Sequence, residues 1–196
     1  MKESILKNIT QVLLIVFSVV LGLFLNERIE ERKANKEASK LLATIKSEVR
    51  ENKKLMESWV PYHQEILESW DRLYSDEKFL QDFVEDHTVL YSEVFTKSSI
   101  IGRTPTNDAW DIAKSHPLMV NINYDELLIL SKLYNQQGIA FDPMEDIITL
   151  NRSPDFNSEE KAVENLKLFK NLMEDLLALE LQLMYYYNQA DEILDL

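Results

Sequence analysis

The chain is expected to be all-α: an N-terminal transmembrane helix that continues into a long stalk helix, packed with a long C-terminal helix in a helical bundle. Three observations carry this. Glycine and proline are scarce, with three and five in 196 residues, so long stretches run without a residue that breaks helices. Residues 12–33, VLLIVFSVVLGLFLNERIEERK, pass from unbroken apolar sequence into dense charge without a turn residue. Beyond them, apolar residues recur at spacings of three and four, the period of one helix face.

The apolar segment comes first. Val12–Leu25 is apolar apart from Ser18 and Gly22, and extending it back through Gln11 and Thr10 to Ile9 gives 17 residues, or about 25 Å of helix. A cleaved export signal should end in small residues before the cut, and Asn26-Glu27-Arg28 offers none. A core helix of a soluble domain should show a polar face, yet Val12–Phe17 and Val19–Leu21 are apolar all round. The expected role is an uncleaved membrane anchor over residues 1–25, with the membrane as its first partner. Ser18 and Gly22 make a small-xxx-small pair on one face, which would let two such helices approach closely as a homo-oligomer.

Charge divides the chain. Residues 1–60 carry a balance of +3 and residues 61–196 one of −16. The acidic body repels nucleic-acid phosphates, so no nucleic-acid partner is expected. The basic residues Arg28, Arg32, Lys33 and Lys36 follow the anchor directly, where they meet lipid headgroups. Counted by the positive-inside rule, they place the body in the cytoplasm.

Residues 26–60 read as a basic stalk helix. Its organising stripe is Leu42, Ile45, Val49, Asn52, Met56 and Trp59, continuing as His63, Ile66, Trp70 and Leu73. This is a heptad-like series with two polar interruptions. It fits a coiled coil between copies, with Asn52 setting register, or a bundle with the later helices, and the bundle is favoured because those helices need a partner. Pro61 is expected to kink or break the helix.

Residues 61–196 read as an acidic helical domain. Asn107 is expected to cap a helix carrying Trp110 and Ala113 that stops before His116-Pro117. Asn123 with Glu126 resembles a capping box, opening a helix through Tyr134 that ends near Gly138. Thr88–Phe95 has strand character. From Ser158 to Ile193 nothing breaks a helix, and Asn157 with Glu160 sits at capping spacing. No second span is expected, because Glu180 interrupts the best candidate.

The stalk and this last helix have nearly equal lengths and complementary apolar faces, which predicts that they pack side by side, and their terminal charges predict an antiparallel direction. Matching the stalk's basic end to Asp191, Glu192 and Asp195 sets the expected register: residue 32 near 191, and residue 56 near 166. It also lowers Tyr185–Tyr187 toward the headgroups.

Catalysis is not expected. The chain has no cysteine, and His63, His87 and His116 share no spacing with a nucleophile or a metal-ligand set. His63 reads as a polar residue tolerated on the stripe. Asp82, Glu85, Asp86 and His87 could share a helix face, but no glycine lets a loop wrap an ion, so a solvated acidic surface is expected there and no metal or cofactor. The tyrosine run Tyr185–Tyr187 fits either an interfacial anchor or a packing patch.

Two segments carry a resemblance. Asn26, Glu27, Arg28, Glu31, Arg32, Lys33, Leu41 and Leu42 follow the apolar run, and Trp110, Leu118, Leu127, Leu130 and Tyr134 mark a second stretch. Together they resemble a large bacterial family of uncharacterised single-span membrane proteins, known as a domain of unknown function. The resemblance implies a bacterial inner-membrane protein with its N terminus inside and a periplasmic helical body, and brings no activity or ligand. The expected function is a membrane-anchored interaction or scaffold protein, working with a second copy or with an unidentified membrane protein. The alternative is a periplasmic ligand- or ion-binding sensory module. Such a receptor would carry a second span or an output domain, which favours the scaffold.

Overall fold

A computed structural model describes residues 2–76, 78, 97, 100, 102–156, 158 and 160–196, with side chains from Gln11 onward except those of residues 12, 72–74 and 162. Every regular element among them is helical. α1 spans Lys2–Tyr74, α2 Asp108–Lys114, α3 Tyr124–Ala140, α4 Asp142–Arg152 and α5 Ala162–Leu194, with a 3-10 turn at Pro117–Asn121 between α2 and α3. α5 packs against α1, α3 and α4, while α2 and the 3-10 turn lie on α1.

α1 is a single helix of 73 residues, and it does not break at Pro61. Pro61 lies on the exposed face. The carbonyl that its missing N–H leaves without a helical partner is that of Glu57, itself exposed, so water can satisfy it. The expected stripe is the buried face: Ile45, Val49, Asn52, Met56, His63, Ile66 and Trp70 are all buried, joined by Ala38, Val60 and Tyr62. The partners are the chain's own helices, as the bundle reading expected.

Local chemistry sets the other boundaries. α3 starts at its N-cap Asn123, whose side chain accepts from the Asp125 N–H at 2.7 Å. Glu126 does not close the box but pairs with Lys46 at 3.4 Å. α3 runs through Gly138, because its last buried residue is Ala140 and the turn comes at Phe141. Pro143 sits in the first turn of α4, where its missing N–H costs no helical bond. α5 opens at Ala162 after Lys161, later than Ser158, without a side-chain cap. Asn157, the strand-like Thr88–Phe95 and the acidic group around Asp82–His87 lie outside the described residues.

α1 and α5 are antiparallel, as expected, but in a different register. Lys53 pairs with Asp191, His63 with Glu180 and Lys170 with Asp71. Asp191 thus meets residue 53 rather than residue 32, a shift of about 30 Å along α1. Met56 and Leu166 belong to different hydrophobic clusters. The physical reason is that exposed ion pairs contribute only about 0–1 kcal/mol, whereas buried side chains must match across the interface. Tyr185–Tyr187 therefore stand far from the apolar end of α1, and Tyr187 is fully buried as a packing residue.

Two hydrophobic clusters lie along the bundle. The first joins Ile45, Val49 and Met56 to Trp110, Leu130, Leu133, Leu183 and Tyr187, with Trp110 stacked on Tyr134 at 5.3 Å. The second joins Ile66 and Trp70 to Ile147, Phe169, Met173 and Leu176, with Trp70 stacked on Phe169 at 4.9 Å.

Toward its N-terminus α1 leaves the bundle. The described apolar side chains from Leu13 to Leu25 are 43–67% exposed. Among the described residues no helix is long and apolar enough to cross a membrane.

Candidate functional site

Polar residues inside the bundle gather at two places on α1. The first is Glu48. Its carboxylate accepts from the backbone N–H groups of Ala109 at 2.8 Å and Trp110 at 3.3 Å. These belong to the first turn of α2, where N–H groups have no helical partner and the helix dipole favours negative charge. Asn107, the expected cap, makes no such bond; its amide donates to Asp111 instead, at 2.7 Å. Glu48 thus caps α2 from another helix. It also accepts from the Tyr134 hydroxyl at 2.6 Å.

One turn on, Asn52 donates to the Thr106 carbonyl at 2.6 Å and to Gln137 at 3.3 Å, and accepts from the Thr106 N–H at 3.0 Å. Tyr187 donates to Gln137 at 2.9 Å. α1, α3, α5 and the segment before α2 are tied into one buried network, in which Asn52 bonds to other parts of its own chain rather than to a second stalk. Burial raises the hydroxyl pKa of both Tyr134 and Tyr187 above the usual tyrosine value, and the Glu48 carboxylate adds to it.

The second place is the layer between the two hydrophobic clusters. His63 and Glu180 are both fully buried, with Nδ1 2.7 Å from the carboxylate Oε2. The other ring nitrogen, Nε2, lies 2.9 Å from the Ile100 carbonyl. A carbonyl only accepts, so Nε2 carries a hydrogen, and the Nδ1–Oε2 contact also needs one between its two atoms. Trp59 stacks on the imidazole at 5.7 Å, and Lys97 lies 4.6 Å from the Tyr62 ring centre. The remaining Glu180 oxygen and the Trp59 indole N–H have no hydrogen-bond partner among the described residues. The pair joins α1, α5 and the segment at Ile100; no nucleophile stands beside the imidazole among the described contacts. No group of three His, Asp or Glu that could hold a metal occurs among the described residues.

His63 thus sits on the buried stripe, as expected, and is hydrogen-bonded there to Glu180 and to the Ile100 carbonyl. A histidine and a glutamate at apolar positions of two facing helices were the available signal, which the displaced register hid.

The sequence-derived membrane residues all lie on the exposed part of α1. The Ser18 hydroxyl donates to the Leu14 carbonyl at 2.8 Å, and a Cβ built at Gly22 meets nothing within 4 Å. Arg28 pairs with Glu31 at 3.5 Å and lies 5.2 Å from the Phe24 ring centre, while Lys33 pairs with Glu30 at 3.3 Å. Arg32 and Lys36 have no ion pair among the described residues. The acidic end of α5 does not reach any of them. A surface cleft of about 670 Å³ lies elsewhere, between α3 and α5, lined by Asn123, Asp125, Leu128, Lys132, Gln189 and Ile193. No family model, no curated protein and no solved structure matches this chain.

Proposed function

We propose that the protein is a membrane-anchored helical scaffold, a bundle held at a lipid surface to engage partners, with no catalysis of its own. One observation carries the reading: α1 runs without a break from an apolar segment exposed on every side into the core of the bundle. Contiguous apolar surface of that extent on a soluble monomer marks an interaction or membrane site. With Ile9–Val12 the apolar run reaches 17 residues, close to the lower bound for a span. The polar residues of the bundle support a structural rather than a catalytic role, because they are occupied in tying helices together.

The resemblance to the bacterial single-span family supports the same anchor, and with it an inside N terminus and a periplasmic body. Ser18 and Gly22 fit a second copy as partner within the membrane. Alkaline-carbonate extraction of membranes tests the anchor: the chain should stay in the pellet, and recovery in the supernatant would overturn the reading. A periplasm-active reporter fused after Leu196 tests orientation. The second reading, a ligand-binding module, draws on the cleft between α3 and α5. A bound small molecule carried through detergent purification, in place of a stoichiometric protein, would favour it.

A further inference from the structure

Among the described residues, the 3-10 turn is the part of the bundle nearest the apolar end of α1. Asn121 donates to Asn35 at 3.0 Å, and among the described residues no side-chain bond from the bundle reaches α1 closer to that end. Leu118 and Met119 of the turn face α1 and the core. Val120 does the opposite, at 86% exposure, and Tyr124 at the start of α3 is 73% exposed. They are the two most exposed large hydrophobic side chains among the described residues, more so than those of the apolar segment itself.

Height along α1 gives these residues a neighbour. Asn35 stands about 15 Å beyond Leu25 and about 9 Å beyond Ile29, which is itself an exposed apolar residue. A headgroup layer is about 5–8 Å deep on each side of the hydrocarbon. A span of 17 residues, about 25 Å, is shorter than a hydrocarbon core of about 30 Å, and such a mismatch draws the flanking turn inward. Exposed Arg32 and Lys36, without ion pairs among the described residues, sit at the same height and suit lipid phosphates.

We propose that this end of the bundle rests on the anionic bilayer that holds α1, with Val120 and Tyr124 in the headgroup layer. The inference rests on the anchored reading above. Tyrosine is favoured at that depth, and valine gains by leaving water. Of the nearby acidic groups, Glu126 is paired with Lys46, while exposed Asp125 and Glu37 are countered in number by exposed Arg32 and Lys36.

The chain has no cysteine of its own, so single-site labelling tests this directly. The full chain, as Val120→Cys, Tyr124→Cys, Leu168→Cys or Val20→Cys, carries a small fluorophore in vesicles of phosphatidylethanolamine and phosphatidylglycerol. Each variant is first matched to the parent by circular dichroism. Nitroxide on the lipid headgroups should quench positions 120 and 124 at least about twofold more than position 168, which lies at the far end of the bundle. Equal quenching at 120, 124 and 168, with position 20 quenched by acyl-chain nitroxides, overturns the surface contact and leaves the anchor standing. Position 20 escaping acyl-chain nitroxides overturns the anchor and this inference together.

Discussion

The two halves of α1 obey different rules along one unbroken helix. From Leu13 to Glu37 every described side chain is exposed or, at Ala34, partly so; from Ala38 to Trp70 one face is buried at nearly every turn. Among the described residues, the first half makes no side-chain hydrogen bond or ion pair to the bundle before Asn35, and its charges pair only with neighbours three residues away. The second half supplies both tertiary caps. Glu48 sits at the N-terminus of α2, and Lys46 donates to the Leu194 carbonyl at the C-terminus of α5. Each charge has the sign that the helix dipole there favours. Helix propensity builds both halves, but only the second is held by the fold.

If that contrast is right, the largest effect comes from the layer between the two hydrophobic clusters. Glu180→Ala strands a fully buried His63 and is expected to cost about 3–5 kcal/mol in urea unfolding. Replacing both residues with leucine should recover most of it. A loss under about 1 kcal/mol in the single variant would show that this layer is not a dry, tightly coupled polar pair.

Glu48→Ala comes next, because it removes the cap of α2 and the acceptor of the Tyr134 hydroxyl together. About 2–3 kcal/mol is expected. Hydrogen exchange should rise first in α2, and uniform change across the bundle would argue against capping.

Alkaline pH probes the same network. Burial raises the pKa of Tyr134 and Tyr187 above the ordinary 10.0. The folded state therefore holds protons that the unfolded chain releases. Their stabilisation is complete below about pH 10 and is lost as pH rises beyond it. Urea midpoints should start to fall near pH 10 and keep falling toward about pH 12, and Tyr134→Phe should make that fall shallower. An unchanged slope would show that Tyr134 does not carry the effect.

The smallest effect sharpens the contrast from the other side. Val16→Asp should leave the unfolding midpoint of the detergent-solubilised bundle within about 0.5 kcal/mol of the parent. The same variant should shift the chain out of carbonate-washed membranes. Destabilisation comparable to that of Glu48→Ala would mean that the first half of α1 packs on the bundle after all.

The sequence by itself determined the helical class, the continuity of α1 after its apolar segment, and the face that α1 buries. Periodicity is a local property, and Ile45, Val49, Met56, Ile66 and Trp70 repeat it without ambiguity. Side-by-side pairing with the last helix also followed from length and apolar pattern, but its antiparallel direction was reached through a charge match that does not form, since Asp191 meets Lys53. Tertiary structure alone decided the register, because many alignments of two apolar stripes look alike in sequence and exposed charges are too weak to choose among them. The choice was made by polar groups that must be satisfied once buried: Asn52 with Thr106 and Gln137, Glu48 with α2, and His63 with Glu180. Those partners are separated by 54 to 117 residues and share no local pattern. Pro61 gave the same lesson in reverse, since a residue that breaks helices locally was tolerated where the carbonyl it leaves unpaired belongs to exposed Glu57 and can be met by water.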